Sequence, residues 1–198
     1  MLDLLLAAVL LTAAPAAPSS DPTDDAAALK WVGETQIARP AIDLLCDQTF
    51  TAAVLPKDNG DDPSPADIAP AVSACTGARD WYGGWVAVHA SAPVIDRQWV
   101  QLYHAVCGAQ LTTLYHMEGE DGKAAALAKA TFTELELVKS AAWATVATGR
   151  PPATLTDAAQ AFLEAHSAKP TYRLIEYDYE MADDLASLYP DLASGATH

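Results

Sequence analysis

The chain has 198 residues, 51% of them hydrophobic, and its 26 acidic side chains outnumber its 11 basic ones for a formal charge of −15. That length suits one domain able to bury a full core, and the composition excludes a disordered chain. The acidic balance excludes nucleic acid, whose binding rests on Lys and Arg neutralising phosphates, and it disfavours an anionic membrane surface.

Leu4 to Ala14 form an apolar run of roughly eleven residues, too short to span a bilayer, which takes about twenty. Ala14-Pro15-Ala16 follows with the A-x-A form of a signal-peptidase site. The segment departs from an ordinary export signal in lacking Lys or Arg and in carrying Asp3. Residues 1–16 are therefore expected to be a signal peptide, 17–25 a disordered Pro-containing linker, and 26–198 a helical domain in the periplasm or outside the cell. No membrane insertion is expected once the signal is removed.

A first amphipathic helix is expected over 26–38, ended by Arg39-Pro40. In the second helix, Ile42, Leu45, Cys46, Thr49, Phe50 and Ala53 follow the spacing of one buried face. Pro56 to Pro63 reads as a turn, and Ser64, Pro65 and Asp67 have the chemistry of a helix start. That third helix carries Ile68, Ala71, Val72 and Cys75 on one face. Gly77 to Pro93 is rich in aromatics and glycine and reads as a long ordered loop pinned by Trp81, Tyr82 and Trp85. Residues 94–117 form a long helix with apolar residues on more than one face, the mark of a central element. Gly119 to Gly122 breaks the chain before a helix over 123–148, closed by Gly149 and Pro151-Pro152. Thr156 or Asp157 caps a short helix, and 171–189 form the last. The expected fold is an all-α bundle of about six to seven helices, without a strand pair.

Cys46 lies nine residues before Leu55 and Cys75 nine after Ala66, so the two sit level in an antiparallel hairpin. Cys107 is offset from Cys75 by about nine residues of helix, roughly 13 Å, beyond the reach of a disulfide. A Cys46–Cys75 bridge with Cys107 free is therefore expected.

No sequence motif names an activity. His104 and Cys107 share a helix face, with His116, Glu118 and Glu120 further on, and imidazole with thiolate suits zinc or copper. The doubled spacing of a metal motif is missing, so both are expected in the core and no metal or other cofactor is expected. Glu176, Asp178, Glu180, Asp183 and Asp184 crowd the last helix, where paired carboxylates could serve acid–base chemistry or calcium. They are expected to form a solvated face. Trp81, Tyr82, Trp85 and His89 are the expected binding patch, because loops on rigid scaffolds often carry function. The resulting expectation is an exported, non-catalytic module that binds a protein or small ligand. The alternatives are a periplasmic enzyme using His104, His89 or the C-terminal carboxylates, and a metal-binding bundle.

Overall fold

The computed structural model describes residues 28–30, 38–55, 64–166 and 169–192. The expected signal peptide, the linker and the turn at 56–63 lie outside the described residues. Among the described residues six α-helices follow one another: α1 (Ala41–Val54), α2 (Pro65–Val88), α3 (Val94–Met117), α4 (Asp121–Val146), α5 (Asp157–Glu164) and α6 (Pro170–Leu188). The protein is an all-α bundle, and Cys46 of α1 is bonded to Cys75 of α2 as the helix heights require. Cys107 is free and buried.

Two expectations are corrected. Where a helix was expected over 26–38, the described residues form a two-stranded antiparallel pair, β1 (Ala28–Lys30) with β2 (Ala38–Pro40), Leu29 opposite Arg39. A residue preceding proline is driven out of the helical region, and Pro40 imposes this on Arg39.

The second correction concerns the aromatic segment. Helix α2 continues without a break through Trp81, Tyr82, Gly83, Gly84 and Trp85 to Val88, with His89 as its C-cap. Its buried positions run Ile68, Ala71, Ala74, Cys75, Ala78, Trp81, Tyr82 and Trp85, one uninterrupted stripe at helical spacing. Each glycine costs a helix about 1 kcal/mol relative to alanine. Burying an aromatic side chain removes on the order of 150–250 Å² from water, worth several kcal/mol. Three such burials outweigh the three glycines at 77, 83 and 84, so packing decides the conformation.

The start of α2 follows the sequence. The Ser64 amide donates to the Asp67 carboxylate at 2.8 Å, and Pro65 occupies the first turn, where its missing N–H costs nothing. Thr156 caps α5 by accepting from the Ala159 amide at 3.2 Å. Gly119 and Gly149, with φ of 76° and 92°, turn the chain after α3 and α4 in a region that L side chains disfavour.

Helix α3 is central, as its several apolar faces imply. Val100, Cys107, Leu111 and Leu114 join a core with α1 and α2, while Leu102, Ala105 and Val106 join a second core with α4, α5 and α6. The α3–α4 crossing is close at Gly108, where a Cβ would overlap the Thr131 hydroxyl. The antiparallel run of α2, α3 and α4 leaves one opening between them, and that opening is the cleft described next.

Candidate functional site

The cleft between α2, α3 and α4 has a volume of about 440 Å³. Val86, Leu137, Val138 and Ala141 supply apolar walls, Gly83 leaves room on α2, and Gln101, His104 and Glu134 supply the polar groups. Concave sites with apolar walls and a few converging polar groups are the usual form of a small-molecule site. Leu137 stands 66% exposed at the rim.

His104 is the centre of this arrangement. Its Nδ1 lies 2.9 Å from Glu134 Oε2, and the other oxygen of Glu134 accepts from Arg79 Nη2 at 3.0 Å. The three side chains come from α3, α4 and α2, and two of them, His104 and Glu134, line the cleft. Burial alone would raise the Glu134 carboxyl, but the bond and charge of His104 and the charge of Arg79 outweigh it and hold the group below its ordinary value. Glu134 is therefore an anion in the folded protein, and it fixes the imidazole in one orientation. Gly83 packs against the opposite edge of the ring, where a Cβ would stand 3.5 Å from His104 Nε2. His104 is partly exposed to the cleft and not a core residue, which corrects the expectation for it. Cys107, one turn on, is buried as expected.

The expected binding patch is arranged differently. Trp81, Tyr82 and Trp85 are 2%, 0% and 8% exposed and belong to the core between α1, α2 and α3, so they offer no open surface. Only His89 is partly exposed. Its ring stacks on Trp85 at 4.4 Å and its Nδ1–H donates to the Trp85 carbonyl at 3.0 Å, which ties down the end of α2. What this segment gives the cleft is Gly83 and Val86, the residues between its buried aromatics.

Two polar clusters, each with buried members, lie outside the expectations or against them. Arg39 bonds both Asp43 and Asp47 and lies over the Tyr103 ring at 5.5 Å, and Gln110 Nε2 donates to Asp47 at 3.1 Å. Burial pushes the Asp43 carboxyl up despite that guanidinium, and pushes the Cys107 thiol well up, leaving it a poor nucleophile. The Gln110 amide oxygen touches Cys46 Sγ at 3.0 Å, a packing contact, since a disulfide sulfur has no proton to donate. On α6, Asp178 is wholly buried, which corrects the expected solvated face at that position; Glu180, Asp183 and Asp184 are exposed. Lys139 of α4 is 1% exposed, bonds Glu136 and lies 4.5 Å from the Tyr179 ring.

His116 pairs with Asp121 at 2.9 Å beyond the end of α3, far along the helix from His104. Among the described residues no three His, Cys, Asp or Glu side chains converge as a metal-binding group. A second groove of about 210 Å³ runs over α3 between α1 and α6, lined by Phe50, Val106, Gln110, Tyr177, Met181 and Leu188 among others. Its polar lining includes Gln110, which is tied to Asp47, and Asp184. Among the described residues no helix is long and apolar enough to cross a membrane. No family model, no curated protein and no solved structure matches this chain.

Proposed function

We propose that this chain is an exported binding protein, without catalysis, that holds one small and mainly apolar ligand in the α2–α3–α4 cleft. The observation that carries the reading is the His104–Glu134–Arg79 chain of hydrogen bonds. It presents a fixed imidazole, beside the polar side chains of Gln101 and Glu134, in an opening of about 440 Å³ whose other walls are apolar. Export is supported by the apolar N-terminal run with its A-x-A site and by the Cys46–Cys75 bridge, since disulfides persist in oxidising compartments. A mature N-terminus near Ala17, read by mass spectrometry of the native protein, supports export; an intact Met1 in the cytoplasmic fraction contradicts it.

An enzyme using His104 is the second reading. A histidine oriented by a carboxylate is the base and orienting part of many catalytic sets. The residues lining the cleft include no Ser, Thr or Cys that could serve as nucleophile, which favours binding.

The test uses N-phenylnaphthylamine, a neutral probe that fluoresces in apolar sites. Saturable enhancement is expected with the oxidised full chain. Gly83→Phe should abolish it, because Gly83 is exposed, helical and faces the ring of His104 across the cleft. Enhancement that does not saturate, or that survives Gly83→Phe unchanged, contradicts the reading.

A further inference from the structure

We infer that the cleft selects a ligand bearing a hydrogen-bond donor, a hydroxyl or N–H group on an apolar body, and disfavours ligands that can only accept. The inference rests on the proposed reading of the cleft as a ligand site and adds the chemical class of the ligand.

The argument follows one proton. An ionised carboxylate can only accept, so the bond between His104 Nδ1 and Glu134 Oε2 places the hydrogen on Nδ1. In the neutral imidazole Nε2 is then a lone pair, a hydrogen-bond acceptor. Nε2 has no hydrogen-bond partner among the described residues, and it lies at the Gly83 edge of the cleft. Seating an apolar body in the cleft takes water away from this acceptor; a ligand donor replaces the bond that water made, whereas a ligand acceptor brings two lone pairs together. The Glu134 charge behind the ring strengthens the same preference. Val86, Leu137, Val138 and Ala141 receive the apolar body.

Glu134 also fixes which atom faces His104. Arg79 donates to Glu134 Oε1 and so demands an oxygen there. In Glu134→Gln the amide oxygen must stay on Arg79, and the amide NH2 then faces His104 Nδ1. That forces Nδ1 to accept and moves the imidazole hydrogen to Nε2, which becomes a donor toward the cleft. The substitution keeps shape and reverses the preference.

Three probes of one shape read this directly: 4-propylphenol, which donates, 4-propylbenzonitrile, which only accepts, and propylbenzene, which does neither. Titrations are made on the oxidised full chain at about pH 8.5. The phenol should bind roughly tenfold more tightly than propylbenzene, and the nitrile no better than propylbenzene. In Glu134→Gln the nitrile should overtake propylbenzene, and in His104→Leu the three should bind alike. Equal binding of the phenol and propylbenzene to the wild-type chain, or tightest binding of the nitrile, overturns the donor preference while leaving the cleft a ligand site. Failure of all three probes to bind, or binding unaffected by Gly83→Phe, overturns the reading of the cleft itself.

Discussion

Cys46→Ala and Cys75→Ala should each lower stability by about 3.5 kcal/mol, and the double variant should lose no more than either alone. The bridge joins residues 29 apart in sequence, one on α1 and one on α2. Closing a loop of that length removes conformations chiefly from the unfolded chain, which gives the magnitude. Such a loss is a large part of the 5–15 kcal/mol that holds a domain folded. Both sulfurs are fully buried, so the bridge should resist mild reductants until the hairpin opens. Reduced wild-type protein should unfold at nearly the denaturant concentration of the two variants. Cys107→Ala, which removes one sulfur from a packed position, should cost much less. Additive losses in the double variant would mean that the two cysteines act separately, as packing residues.

The second large effect is a dependence on pH that originates at Asp178. Both of its carboxylate oxygens are buried without a hydrogen-bond partner. Burial pushes its pKa up to about 8, against the opposing pull of Lys139, and Glu136 pushes in the same direction as burial. The sign follows from linkage. The unfolded carboxyl ionises near pH 4, while the folded one keeps its proton until about pH 8. Between those values the folded state holds the extra proton, so raising the pH costs stability. Each unit of displacement corresponds to about 1.4 kcal/mol, so several kcal/mol are at stake across the window. Asp178→Asn keeps the shape and removes the ionisation. Its stability should match that of the wild-type protein near pH 4 and exceed it increasingly toward pH 8. Denaturant unfolding of both proteins at a series of pH values reads the difference, and a constant difference across that window contradicts the account.

Most of the helices are legible in the sequence because their boundaries are chemical. Ser64-Pro65 opens α2, Gly119 follows α3, and Thr156 opens α5, each for a local reason that needs no tertiary contact. The disulfide is legible because helix rise converts sequence distance into height. The continuation of α2 is misread from its glycines, although the stripe through Ala78, Trp81 and Trp85 carries the correct signal. The same lesson explains the buried charges. Asp43 stands one turn before Cys46, Lys139 between Leu135 and Trp143, and Asp178 between Leu174 and Ala182, each on the inward stripe of its helix. A charged residue at an inward position announces a buried polar group, whatever its neighbours on the outer face suggest.

The site itself is less legible. His104 is picked out by residue type, but its partners stand 30 residues away on α4 and, through Glu134, 55 residues further back on α2. Helix periodicity places Glu134 on a face of α4, and only the packing of three helices brings it to His104. Gly83 and Val86 escape notice for a simpler reason, since a residue that shapes a cleft by being small or apolar carries no chemical signal of its own.

The central claim is that the α2–α3–α4 cleft receives a ligand, and amide chemical-shift mapping of the isotope-labelled, oxidised chain with N-phenylnaphthylamine tests it most directly. The account predicts shifts concentrated at Gly83, Val86, Gln101, His104, Glu134 and Leu137, which line the cleft. Shifts centred on Met181, Leu185 and Leu188, in the groove between α1 and α6, or no localised shifts at all, would contradict it.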